Sequence, residues 1–489
     1  MPDYVFHRDF SKSYPLIERA EGIYLYDKSG KRYIDASSGA IAANLGHGLT
    51  EIIDAMNEQA RKAAFVHTLR FETEVQHLLA QEIAEAAPGP LNRVYFASGG
   101  AEANESAIKL AYQYHAGRGK ASKQIVVGRW QSYHGNTLGA LSAGGDIKRR
   151  KLYTALLNRT AHIHSPFCSH CPYMSDLTRC ENEGYVCVKA LSALIEEIGA
   201  ENISAFIVEP IVGSQQGAVV PPANYLEQVR RICTENDILL IFDEVMTGFC
   251  RTGKFFALEH FGAVPDIVTF GKGVTAGYAP LSGMIVHDRI VEGIIANSGG
   301  KFTHGYTYSG HPVSVAAGLA AVRYYKRNRI ADNAREMGAY LTEKLLQLAE
   351  KYRTIGEIRG KGLLIGVELV RDRRGGKLFE PSLQAAERFN KLAMEAGIVL
   401  YPGSGGIDGR HGEHFLIAPR LNTNRAELDE ILEILDHVFA KFENSITLYH
   451  RGAVILHDKS GFPNRFPCVP PGSEQDLPDG GTRFRGVDL

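Results

Sequence analysis

Long apolar runs, unbalanced charge and a disulfide framework are all missing from this sequence of 489 residues. No apolar stretch approaches the roughly 20 residues that a membrane-spanning helix needs, so no such span is expected. Lysine and arginine number 54 against 55 aspartates and glutamates, leaving a net charge of −1. That balance gives no electrostatic ground for a nucleic acid or an anionic membrane as partner. The N-terminus, Met1-Pro2-Asp3-Tyr4-Val5-Phe6-His7-Arg8, has no basic head followed by an apolar run, so no secretory signal is expected. Seven cysteines is an odd number. Without a signal they read as free thiols in a reducing, cytoplasmic compartment.

What is present is an ordinary globular composition, 44% hydrophobic and 22% charged. The length exceeds what one hydrophobic core serves, so more than one domain is expected. Within the first fifty residues, Gly22–Asp27 and Lys31–Asp35 flank Ser29-Gly30 and read as a hairpin. From about residue 50 to 325, short apolar runs alternate with helical patterns. The candidate strands are Arg93–Ala97, Gln124–Gly128, Ala205–Glu209, Ile238–Asp243, Asp266–Phe270 and Leu281–Val286. Unbroken runs of branched and aromatic residues suit strands buried on both faces of a mostly parallel sheet, with helices covering it. Residues 1–49 and 326–450 read as a smaller α+β domain, and 451–489, rich in proline, glycine and charge, as an extended tail.

Two charged residues, Asp243 and Lys272, end or follow buried runs 29 positions apart. Ligands of open α/β sheets bind at the carboxyl ends of strands, so these two groups are expected in one crevice. Other strand ends add to them. Ser98-Gly99-Gly100-Ala101 opens a helix whose free N–H groups suit an anion. Tyr133-His134 offers an aromatic for stacking, and Glu209 is either a capping acid or a site residue. Each part alone has a bland reading, Lys272 above all, since a lysine between glycines is usually a solvated loop residue. Together the phosphate donors, aromatic, carboxylate and amine match the needs of pyridoxal phosphate (PLP): a lysine for its aldehyde and an acid for its ring nitrogen.

Taken with Asp243-Glu244-Val245-Met246-Thr247-Gly248-Phe249, Thr269-Phe270-Gly271-Lys272-Gly273 and Tyr306-Thr307-Tyr308-Ser309-Gly310-His311-Pro312, the chain resembles the class III aminotransferases of the ω-amino acid:pyruvate type. The resemblance runs from about residue 15 to 445. It implies the fold-type I architecture of PLP-dependent transferases and a homodimer, or a tetramer, whose sites straddle the interface. By resemblance, Lys272 forms the Schiff base and is catalytic, with Asp243 holding the pyridine nitrogen. Tyr133 stacks on the ring with Val245 on its other face. Gly99, Gly100 and Ala101 cradle the phosphate, with His134, Glu209, Met246 and Tyr306 nearby, while Thr307 reaches the neighbouring subunit's phosphate. The implied reaction is ping-pong amino transfer from an amine or ω-amino acid to a keto acid, pyruvate or 2-oxoglutarate. Aminomutases, epimerases and phospho-lyases share the fold and form the alternative.

The chain departs from the family pattern at the substrate side. Ile41 stands where many relatives carry a bulky aromatic, and Ala418-Pro419-Arg420-Leu421 replaces an Ala-Pro-Pro-Leu. The preceding glycine-rich loop, Tyr401–Arg410, is longer than usual. Ile41, Arg410 and Arg420 are therefore the candidate substrate residues, either arginine being able to clamp a carboxylate bidentately. His411 and His414 read as ordinary loop histidines. No metal is expected; Cys168, Cys171, Cys180 and Cys187 form a weak zinc candidate against free thiols, because only one C-x-x-C occurs among them.

Overall fold

The structure is a computed structural model that describes the backbone of residues 4–459 and side chains through residue 446. The chain up to Glu443 is one compact unit, built around three sheets. At the N-terminus, β1 (Ile17–Glu21), β2 (Tyr24–Asp27) and β3 (Arg32–Asp35) make an antiparallel meander. Asp27 closes the expected hairpin, its Oδ1 accepting from Ser29 and Lys31 amides. Such Asx bonding holds a tight turn without help from packing.

The central sheet holds β4 (Leu91–Ala97), β5 (Ile125–Arg129), β6 (Thr160–Ile163), β7 (Ile203–Val208), β8 (Leu239–Asp243), β9 (Ile267–Phe270) and β10 (Ser282–His287). Its order is β4-β10-β9-β8-β7-β5-β6. Only β10 runs against its neighbours, so the other strands share one direction and open their carboxyl ends on one edge. Every residue of β5, β7, β8 and β9 is buried, which is why each reads as an unbroken apolar run. The strands expected from sequence lie within two residues of those observed. The edge strand β6 was not anticipated, since Thr160-Ala161-His162-Ile163 is only partly buried and carries little apolar signal.

The helix Gly100–Gly117 lies across this sheet. Ala107, Leu110, Ala111 and Tyr114 form its buried stripe and pack with Ile207, Ile241, Ile267 and Met284. Burying each large aliphatic side chain contributes about 1.5–3 kcal/mol, so this contact holds the helix start against the strand ends.

The last sheet contains β11 (Ile355–Lys361), β12 (Leu364–Leu369), β14 (Tyr401–Ser404) and β15 (Glu413–Ile417), while β13 (Ile398–Val399) joins β3 in parallel. Phe389, Phe415, Phe439 and Phe442 stack into its core. The glycine-rich Tyr401–Arg410 segment, expected as a loop, therefore begins as a strand. The final helix spans Arg425–Lys459. Residues 451–459, expected in an extended tail, are helical because the Ala453-Val454-Ile455-Leu456 run continues the helix pattern. The remainder of that tail lies outside the described residues. No helix among the described residues is long and apolar enough to cross a membrane.

Candidate active site

Loops leaving the shared strand edge surround a cavity of about 160 Å³. After β4, Gly99 is extended and no side chain caps the helix that starts at Gly100. The first helical N–H groups therefore face the cavity without intrahelical partners. A Cβ on Gly100 would stand 2.7 Å from Val245 Cγ1, so only glycine keeps this approach open. Gly135, at φ +136°, similarly admits the next loop against Ala101. Bare N–H groups at a helix start suit an anion.

After β8, Asp243 is held by three donors. Its Oδ2 accepts from His134 Nδ1 at 2.8 Å and Asn104 Nδ2 at 2.8 Å, and its Oδ1 accepts from Val245 N at 3.0 Å. Asn104 is itself fixed by Thr269 Oγ1 at 2.7 Å, from the residue registered opposite Asp243. Three donors satisfy much of this buried carboxylate, and Oδ1 retains room for a further donor from the cavity. Sequence reasoning missed Asn104; its position one turn into the helix Gly100–Gly117 is the signal that could have placed it beside the strand ends.

Glu209, after β7, braces two loops: Oε1 accepts from Tyr133 N at 3.1 Å and Oε2 from Gly213 N at 2.7 Å. Burial raises its pKa, opposed chiefly by His134. The neighbouring carboxylate Glu244 faces elsewhere, accepting from Ala257 N and Leu258 N at the start of a short helix.

Lys272 follows β9 in a left-handed conformation, φ +44°, rare for a residue with a side chain. Such a backbone costs on the order of 1–3 kcal/mol and persists only where its surroundings enforce it. Gly273 is required beside it, since a Cβ there would lie 2.4 Å from Asn44 Nδ2. Burial lowers the Lys272 pKa to about 8, against the pull of Asp243 and Glu209. Gly100, Ala101, Tyr133, His134, Glu209, Asp243, Val245, Met246 and Lys272 thus line one cavity, as their strand-end positions predict.

A larger groove, about 1180 Å³, shares the lining residue Ser214 with this cavity. The N-terminal segment around Arg8, the helix Ile147–Tyr153 and the β14–β15 region form it. Arg149 lies over Tyr133, its Cζ 5.0 Å from the ring centroid.

The substrate candidates divide. Arg410 is exposed and lines the groove. Arg420 does not: it pairs with Glu427 at 2.5 Å and packs against Gly22 and Gly46. Ile41 is also displaced from the site. It is 1% exposed in a core with Ile211, Leu416 and Ala418, behind Met246. Tyr306 bonds the Glu102 carbonyl, and Thr307 is exposed; neither lines this chain's cavity. Cys168, Cys171, Cys180 and Cys187 line one small cavity as free thiols. Among the described residues no three His, Cys, Asp or Glu side chains gather in a metal-binding group. His414 is buried against the Ser214 carbonyl and His411 pairs with Asp408.

The family model of class-III aminotransferases matches residues 6–439. The chain belongs to the class-III aminotransferase family. An uncharacterized aminotransferase of Bacillus subtilis, YodT, is 38% identical over 91% of this chain and 99% of its own length. A putrescine–pyruvate aminotransferase of Pseudomonas aeruginosa is 34% identical over 86% of this chain and 89% of its own. Among solved structures, a PLP-bound amine transaminase from an uncultivated Pseudomonas species superposes with a TM-score of 0.83 at 31% identity, covering 90% of this chain and 99% of that one. This aminotransferase has the fold-type I architecture of the family and uses PLP. Its cavity fits that group: a bare helix start for the phosphate, a fixed carboxylate for the ring nitrogen, an aromatic beside them and a half-buried amine.

Proposed function

We propose that this aminotransferase moves the amino group of an amine or ω-amino acid to pyruvate or 2-oxoglutarate, acting as a cytoplasmic homodimer. The observation that carries the reading is the common cavity in which the Lys272 amine and the triply held Asp243 carboxylate meet a bare helix start. When bound, PLP supplies an aldehyde carbon and a ring that accepts electrons from a neighbouring carbanion. Lys272 would hold the aldehyde carbon, and its amine, once free, would take the proton from the donor's reacting carbon. A lysine whose pKa is lowered to about 8 is partly neutral near physiological pH, so it can act as that base.

Asp243 would hold the ring nitrogen, its carboxylate favouring the protonated form of that nitrogen. His134 and Asn104 hold the carboxylate in place, and Tyr133 and Val245 would flank the ring. The Gly99-Gly100-Ala101 amides would bind the phosphate. Thr307 belongs to the partner subunit's site, which accords with its exposure away from its own cavity. The large exposed side chains Phe65, Leu69, Phe71 and Tyr308 support a second copy covering that surface. We assign residues 50–325 to the cofactor-binding domain and 1–49 with 326–450 to the smaller one.

The test uses the PLP-loaded enzyme and a panel of amines with no keto acid. The cofactor absorbance is expected to convert stoichiometrically to the pyridoxamine form, and added pyruvate or 2-oxoglutarate to restore it. If no amine in a broad panel produces the conversion, the reading fails.

A further inference from the structure

The groove beyond Tyr133 carries positive charge that the chain itself leaves unmatched. Asp9 and Glu387 both pair with Lys12, and Glu413 is turned inward to accept from Ala386 N. Arg8, Arg410 and the terminal nitrogens of Arg149 face the opening without a described acid of their own. Arg149 is the best fixed of these. The buried Asp146 accepts from its backbone N at 3.2 Å and its Nε at 2.8 Å, while Tyr133 supports the guanidinium plane. That leaves Nη1 and Nη2 without a described hydrogen-bond partner, and the edge they form can receive a carboxylate in two parallel bonds.

We propose that Arg149 binds a substrate carboxylate that is remote from the reacting carbon. The inner cavity contains Tyr133 but not Arg149, whereas the groove contains Arg149 but not Lys272. A carboxylate directly attached to the reacting carbon would stay in the inner cavity. One separated from it by an alkyl chain passes Ser214 and reaches Arg149. The substrates favoured are therefore long ω-amino acids as donors and 2-oxo dicarboxylates as acceptors. This deepens the amino-transfer reading and rests on it for the placement of the reacting carbon.

The experiment uses the PLP-loaded enzyme and Arg149→Met, with Arg149→Lys as a variant that keeps the charge but loses the fork. Glutarate, a dicarboxylate with no amino or keto group, is titrated while the cofactor absorbance and the heat of binding are followed. Arg149→Met is expected to weaken glutarate about 10- to 100-fold, the range of a charge-assisted hydrogen-bonded contact, and Arg149→Lys less. In turnover, the kcat/KM ratio of 5-aminopentanoate to pentylamine, and separately of 2-oxoglutarate to pyruvate, is expected to fall by a similar factor through KM. A fall in only the first ratio assigns the site to the donor, and in only the second to the acceptor.

Undiminished glutarate affinity with both ratios unchanged in Arg149→Met overturns the proposal. So does a wild-type enzyme with no preference for the carboxylate, or a preference lost in Arg410→Met but kept in Arg149→Met. Glutarate binding needs no turnover, so a failed amine panel removes the amino-transfer reading while the arginine is still decided.

Discussion

The inner cavity and the groove that shares Ser214 with it are built by different means. The inner wall consists mainly of residues at the ends of the central strands or within five positions of them, fixed by hydrogen bonds and by the sheet register, as Asp243 is by Thr269 through Asn104. The groove is assembled from the N-terminal segment, a seven-residue helix and the β14–β15 turn, and it is lined by long charged side chains. Rigid strand ends hold the chemistry that every substrate must share. Loops carry the contacts by which substrates differ.

The sharpest break of that comparison is at Lys272. Lys272→Ala is expected to lower turnover by at least the 10²- to 10⁴-fold usual for losing a general base, and more because the covalent attachment is lost as well. Retained turnover would remove the residue from its role. The same lysine gives a pH prediction. Its pKa in the folded chain is lowered to about 8, below the ordinary value of 10.5, so the reactive neutral amine accumulates as pH rises through about 8. The rate at which PLP-free enzyme takes up PLP should rise across that window. An inflection near 10.5 instead would show that burial does not control the amine.

Much of the inner cavity was legible because buried parallel strands announce themselves as apolar runs and the residues after them are functional by position. The helix start at Gly100, the strands β7 to β9 and the Asp243–Lys272 pairing all follow from that rule. Glu209 and Glu244 show its limit. Both follow buried runs, yet Glu244 caps a short helix and Glu209 braces the loops of β5 and β7, and only three-dimensional contacts separate such roles. The groove was poorly legible for a different reason. Arg149 sits among Lys148, Arg150 and Lys151, where a run of basic residues reads as a solvated helix face. Nothing in the local pattern reveals that Asp146 and Tyr133 fix one of them. Arg420 presents the opposite case: it falls in a family motif, and Glu427, seven residues later on the final helix, pairs with its guanidinium.

A smaller effect is expected at the carboxylate. Asp243→Asn keeps the shape but removes the charge that a protonated ring nitrogen needs. One charge-assisted hydrogen bond contributes about 1.5–3 kcal/mol, so PLP affinity is expected to fall roughly 10- to 100-fold. Equilibrium dialysis against PLP measures this directly. Unchanged affinity together with unchanged turnover would show that the ring lies elsewhere in the cavity. His134→Ala is the sharpening control, since it removes one of the three donors and should have the lesser effect of the two.

The smallest effect separates the two arginines of the C-terminal region. Arg420→Met removes the partner of Glu427, which keeps only Thr423 Oγ1 at 2.7 Å and Asn424 N at 3.3 Å as donors. Both side chains of the pair are largely shielded from water, 19% and 12% exposed, so a partly desolvated carboxylate loses its cation. The cost is expected to be about 1–3 kcal/mol of stability, seen as an earlier urea midpoint. Because Arg420 lines neither cavity, KM for carboxylate and carboxylate-free substrates should move together or not at all. Arg410→Met predicts the reverse pattern: its side chain is exposed at the groove, so the urea midpoint should hold while KM for carboxylates rises. If Arg420→Met instead raises KM for carboxylates alone, its pairing with Glu427 opens during turnover and the groove extends further into the chain than the two cavities show.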